Sequence, residues 1–173
     1  MAMKVYEMYD ENYTSGKEYK NIRKAVRAII QKSGKFFVEE CKNPDIIMLP
    51  GGGIEDGESN FECIKRECME ECGVVVEPCE ELFAIREYYK DTIFYSTYIK
   101  CKIIGTCDKK MTEHEKSLEM ISLWQSAKAI KNKIEELICI YPEGSELKGM
   151  HKREYLAINH IIEHCSSDKS IQK

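Results

Sequence analysis

The chain predicts a mixed α/β fold, a sandwich in which helices pack against a sheet. Three observations carry this. From Ile93 to Ile103 apolar and polar residues alternate, which sets Ile93, Tyr95, Ile99, Cys101 and Ile103 on one face of a long strand. Between Ser59 and Cys72 the period becomes helical, with Phe61, Ile64, Cys68 and Cys72 on one stripe. From about His151 to Cys165 a closing helix turns Tyr155, Ile158, Ile161, Ile162 and Cys165 inward.

The remaining elements follow in order. "KAVRAII" (Lys24 to Ile30) reads as a buried strand, and the turn "QKSGK" joins it to a second strand near "FFVEE" as a hairpin. "IIML" at Ile46 to Leu49 is a short strand that Pro50 and three glycines stop. Ser59 caps the helix that follows, Glu62 completes a capping box, and Gly73 suits the residue past its last turn. "VVV" and "FAIREYY" are strands, "TCDKKMTEHEKS" is a polar loop, and "MISLW" is a strand. Ser126 caps a helix that carries Ala127, Ile130, Ile134 and Leu137 inward, and "YPEGSELKG" is a second loop.

At 173 residues, with 43% hydrophobic and 32% charged, the composition is that of one folded domain. Nothing marks an internal boundary: residues 1–19 read as an N-terminal extension packed on the domain, 20–165 as the domain and 166–173 as a flexible tail. No apolar run approaches the roughly 18 residues of a membrane span, and the start "MAMKVYEMYDENY" is acidic, unlike a signal peptide. The nine cysteines are odd in number and contain no C-x-x-C pair, so reduced thiols in a cytoplasmic protein are expected rather than disulfides or zinc. A net charge of −4 argues against stable nucleic-acid or anionic-membrane partners.

The chemistry concentrates in "LPGGGIEDGESNFECIKRECMEECGVVV", residues 49–76. On a helical wheel Glu67, Glu70 and Glu71 share an arc of roughly 100°. Like charges at these spacings repel near a helix C-terminus, and a hard divalent cation such as Mg²⁺ or Mn²⁺ offsets that repulsion while keeping waters for a phosphate-bearing substrate. Gly51, Gly52 and Gly53 let the backbone turn sharply and approach the helix or a ligand, and Arg66 can pair with a neighbouring carboxylate.

The spacing from Gly52 through Glu58 to Arg66-Glu67-Cys68-Met69-Glu70-Glu71-Cys72-Gly73-Val74 resembles the Nudix box, G-x5-E-x7-R-E-U-x-E-E-x-G-U, with every charged and glycine position filled. Cys68 is an unusual but tolerable apolar choice at the first U. The resemblance implies a Nudix-type α/β/α sandwich with a mixed central sheet and hydrolysis of a nucleoside diphosphate linked to another group. It also implies that Glu67, Glu70 and Glu71 hold Mg²⁺ with the Gly51 carbonyl nearby, while Glu58 and Arg66 support the loop and orient Glu67. "MTEHEKS" resembles a loop that closes the site in related sequences, which makes Glu115 the first candidate for the general base, with Glu113 and Glu119 behind it.

Outside the box, Arg23, Lys24 and Arg27 are candidates for phosphate contact, and Tyr88 or Tyr89 for stacking on a base. Arg153 and Glu154 are expected to pair with each other or with the sheet. "FAIREYYKDTIFY" contains no proline, which points away from ADP-ribose or NADH as substrate. The leading expectation is a Mg²⁺-dependent pyrophosphohydrolase acting on a nucleoside triphosphate, an oxidised one included. The alternative is a Nudix-fold module that senses a nucleotide without cleaving it. A homodimer is left open.

Overall fold

Neighbouring residues along several strands point into two separate cores, and helices cover both faces in consequence. The computed structural model describes residues 3–10, 13 and 16–164, with the backbone alone at 114 and 115. One mixed sheet runs in the order β1 (Lys4–Tyr9), β6 (Val74–Tyr89), β7 (Thr92–Thr106), β2 (Asn21–Ile29). Its outer pairs, β1 with β6 and β2 with β7, are parallel, and the central pair β6 with β7 is antiparallel. Beside it stands a smaller antiparallel sheet built on β4 (Lys35–Lys42), which pairs with β3 (Gln31–Lys32), β5 (Asp45–Met48) and β8 (Ile121–Ser126).

Residues alternate between the two cores as strand geometry requires. Val26, Ala28, Phe37, Ile99 and Cys101 pack against Cys63, Ile64, Cys68 and Cys72 of α1 (Asn60–Glu70) and the residues just past it. Ile29, Phe36, Val38, Phe83 and Tyr98 face the opposite way, onto α3 (Ala127–Ile140) and α4 (Glu146–His164) through Ile130, Ile134, Ala157, Ile158 and Ile161. Within that second core Phe83 stacks on Tyr98 at 4.6 Å between ring centroids. Among the described residues no helix is long and apolar enough to cross a membrane.

Several boundaries differ from the sequence reading. The hairpin after Ile30 is only two residues deep, Gln31↔Phe36 and Lys32↔Lys35, because β2 leaves β4 to join β7 in the other sheet. The predicted alternation in β7 gives way at Ser96, Thr97, Tyr98 and Ile99, all buried, since the strand is covered on both faces there. Phe61 stands out in solvent at 37% exposure and Cys63 takes its place on the buried stripe. "VVV" and "FAIREYY" form one bulged strand, and the loop at residues 107–120 contains a short helix, α2 (Glu113–Ser117). α4 starts at Glu146, five residues ahead of the predicted start. Lys4–Tyr9, in the predicted extension, is an edge strand of the mixed sheet. The predicted tail, with Cys165, lies outside the described residues.

The start of α1 is fixed locally. Ser59 Oγ accepts from the Glu62 amide at 3.3 Å, and the Glu62 carboxylate accepts from the Ser59 amide at 2.9 Å, the reciprocal capping box. Ser59→Ala therefore lowers unfolding stability by about 1 kcal/mol, measured by urea denaturation, with the fold unchanged by circular dichroism.

Candidate active site

The glycine loop after β5 lies along β2 as a short irregular rung. The Val26 amide donates to the Gly52 carbonyl at 3.0 Å, the Ala28 amide to Pro50 at 2.7 Å, and the Ile54 amide to Lys24 at 3.1 Å. This closeness leaves no room for a β-carbon at two positions. At Gly51, with φ +136°, it would strike the Val26 carbonyl; at Gly52 it would strike the Glu67 carboxylate. Gly52 thus touches the acidic helix on one side while its other side lines a cleft.

Arg66 organises the acidic side. Its guanidinium grips Glu58 through Nε at 2.8 Å and Nη2 at 2.9 Å, donates to the Gly53 carbonyl at 3.0 Å, and reaches Glu67 Oε1 at 2.8 Å. Glu70 lies 3.5 Å away with a half-exposed side chain. The fork geometry suits two carboxylates and a carbonyl at once, which a lysine does not match. Its hydrogen bonds hold the Glu58 carboxyl far below its usual range, at about 2. Glu67 moves the other way: burial raises its pKa, with Arg66 and Arg27 opposing.

Arg27 plays the matching role from β2, donating to the Gly51 carbonyl at 2.6 Å, while its buried Nε has no partner. The oxygens expected to bind a cation are therefore already partly engaged by arginines. Among the described residues no three His, Cys, Asp or Glu side chains converge as a preformed metal cluster. A carboxylate keeps about four lone-pair sites and a carbonyl two, so Glu67 and Gly51 retain free acceptor capacity beside these bonds. Glu70 and Glu71, at the end of the same helix, would add only hard oxygens to these, the chemistry that suits Mg²⁺ or Mn²⁺.

On the far side of Gly52 and Gly53 opens a cleft of about 200 Å³, lined by Arg23 and Arg27 of β2, Phe94 of β7 and Arg153 of α4 among others. Acidic helix and basic cleft meet at the glycine loop. A family model, the NUDIX domain, matches residues 22–139. The chain belongs to the NUDIX domain family. Solved structures agree in fold: a UDP-X diphosphatase at 17% identity and TM-score 0.57, covering 86% of this chain but only 66% of that longer one. A NUDIX hydrolase of Nitrosomonas europaea matches at 19% identity and TM-score 0.59, covering 79% and 90% of the two chains. An ADP-ribose pyrophosphatase of Streptococcus suis matches at 17% identity and TM-score 0.50, covering 82% and 92%.

Within this NUDIX domain the other predicted residues separate. Arg23 and Arg27 stand together in the cleft. Tyr88 stands elsewhere, stacked on Tyr9 at 5.0 Å in a tyrosine group at the end of β6, and the Tyr89 hydroxyl donates to Gly144. Glu115 lies on α2 and its side chain is outside the described residues; Glu113 pairs with Lys116 at 2.6 Å, and Glu119 lines a different cavity beside the β4–β5 turn.

Two groups were missed or undervalued. Arg153 and Glu154 are buried, and their pairing extends to the site: Glu154 Oε2 accepts from the Leu49 amide at 3.1 Å, bracing the strand that leads into the glycine loop, while Arg153 faces Glu87 at 3.5 Å. Their spacing was a signal, since each stands four residues before a buried Ala157 or Ile158. Glu39 of β4 is fully buried, two residues from Phe37 on the same strand face, and burial raises its pKa despite Arg27 nearby.

The depressed Glu58 pKa makes part of the stability pH-dependent. Its contribution is complete above the ordinary value of 4.5 and is lost as pH falls through about 2. Urea midpoints of wild type and Glu58→Gln will differ most near neutral pH and converge on acidification through that window.

Proposed function

We propose that the chain hydrolyses a phosphoanhydride bond of a nucleoside diphosphate-linked compound with Mg²⁺, for which Mn²⁺ can substitute. The substrate we favour is a nucleoside triphosphate, an oxidised one included, released as monophosphate and pyrophosphate. The supporting observation is the meeting at Gly52 of the Glu67 carboxylate with a cleft that Arg23 and Arg27 line.

In this reading Glu67, Glu70, Glu71 and the Gly51 carbonyl hold the cation. When bound, it neutralises the diphosphate and lowers the pKa of water. Arg66 keeps Glu67 oriented and, by holding Glu58 ionised, ties the loop to the helix. Arg27, with an unpartnered Nε, and Arg23 bind phosphate oxygens. Glu115 takes the proton from the attacking water. The UDP-X diphosphatase and ADP-ribose pyrophosphatase that share this fold support the diphosphate class and leave the nucleoside open.

The test is a panel of nucleoside triphosphates, nucleotide sugars and dinucleoside polyphosphates with Mg²⁺, scored by product. Turnover to monophosphate and pyrophosphate, reduced at least about a hundredfold in a Glu70→Gln, Glu71→Gln double variant, is expected. Equal turnover by that variant refutes the mechanism, and tight nucleotide binding without hydrolysis identifies a sensor instead. Gly52→Ala needs no unusual backbone angle, so it folds but displaces Glu67, and kcat falls by about a hundredfold.

A further inference from the structure

Glu39 is the one carboxylate in the described residues whose two oxygens are both fully buried and without a hydrogen-bond partner. Its place in the fold is specific. β4 directs Phe37 into the core beneath α1, and Glu39, two residues on, points to the same side. The groups that act on it are Glu71 and Cys72 at the end of α1, Arg27 of β2 and Lys109, whose ammonium reaches Ser122 Oγ at 3.4 Å. Ser122 is the β8 residue directly opposite Glu39 in the sheet.

Arg27 and Lys109 are cations that oppose the effect of burial, but neither hydrogen-bonds the Glu39 oxygens. The Cys72 thiol is pushed up by burial and stays neutral, and Glu71 carries the same sign as Glu39. Arg66, the nearest organiser of the acidic helix, is occupied by Glu58, Glu67 and the Gly53 carbonyl. The buried Glu39 carboxylate thus approaches the half-buried carboxylate of Glu71 from another element, an arrangement that favours a cation between them. A buried charge retained solely for the core would be replaced at no loss by an apolar side chain like its neighbours Phe37 and Cys41.

We propose that Glu39 is a ligand of the divalent cation, supplied from β4 and shared with Glu71, so that the centre spans the smaller sheet as well as α1. This rests on the reading above that Glu71 and its helical neighbours bind Mg²⁺ or Mn²⁺. It gives the smaller sheet a part in the chemistry that the motif from Gly52 to Val74 does not contain.

The experiment titrates the full chain with Mn²⁺, following free Mn²⁺ by electron paramagnetic resonance and thermal unfolding with and without the ion. Glu39→Gln is expected to bind Mn²⁺ at least about tenfold more weakly than wild type and to lose most of the Mn²⁺-dependent rise in Tm. Without Mn²⁺ it melts no lower than wild type, because a desolvated carboxyl without hydrogen-bond partners gives way to a neutral amide of the same size. Glu39→Asp, which keeps the charge but withdraws it by one methylene, gives the same weakening if the Gln variant does not fold. Wild-type Mn²⁺ affinity in the variant, or a lower Tm without Mn²⁺ with the full increment on adding it, marks Glu39 as structural and overturns the proposal. If Glu39→Gln binds normally while the Glu70→Gln, Glu71→Gln variant does not, only this inference falls. If wild type binds no Mn²⁺ even beside a non-hydrolysable nucleoside triphosphate, the functional reading falls with it.

Discussion

The guanidinium of Arg66 is the tie on which the site depends. It reads three different elements at once: the Glu58 carboxylate before α1, the Gly53 carbonyl in the glycine loop, and the Glu67 carboxylate on its own helix. Charge-assisted bonds of this kind are short and directional, and the fork leaves little freedom for any of the three partners. Removing it would leave Glu67, already penalised by burial, without its main counter-charge, and would free the loop that forms the floor of the cleft.

The loop itself is held from three sides. β2 supplies the backbone rungs, α1 supplies Arg66, and α4 supplies Glu154, which receives the Leu49 amide. A segment that would otherwise be a mobile glycine turn thereby becomes a rigid floor without regular secondary structure. The cost is steric: a side chain at Gly51 would strike the Val26 backbone, and one at Gly52 enters only by pushing Glu67 aside. Rigidity of this type is what a site needs when its chemistry is mainly positioning and electrostatics.

Much of this was legible in the sequence because local rules fix it. The capping box at Ser59 and Glu62, the glycine turn and the i,i+4 spacing of Glu67 and Glu71 depend on neighbours within a few residues. What the sequence concealed depends on partners far along the chain. β2 abandons its hairpin for β7, some 70 positions later, so pairing could not be read from the turn. Glu39 and Glu154 look like surface residues until Cys72 and Leu49 are brought against them. Tyr88 carries a side chain suited to stacking, but the topology sends it to Tyr9 instead of the cleft. Residue type was a sound guide to chemistry and a poor one to location.

The cysteines under α1 have a bearing on which ions the helix can attract. Cys63, Cys68, Cys72 and Cys101 are buried, and burial raises each thiol well above its ordinary range, Cys63 and Cys101 to about 12. At neutral pH they remain protonated, and only a thiolate is a good ligand for thiophilic ions. Four sulfurs lie within the packing of the acidic helix, yet the anions it presents are all carboxylates. Zinc, copper(I) or cadmium would have to displace a proton from a buried thiol to use that sulfur, a cost that the carboxylate oxygens do not impose on a hard cation.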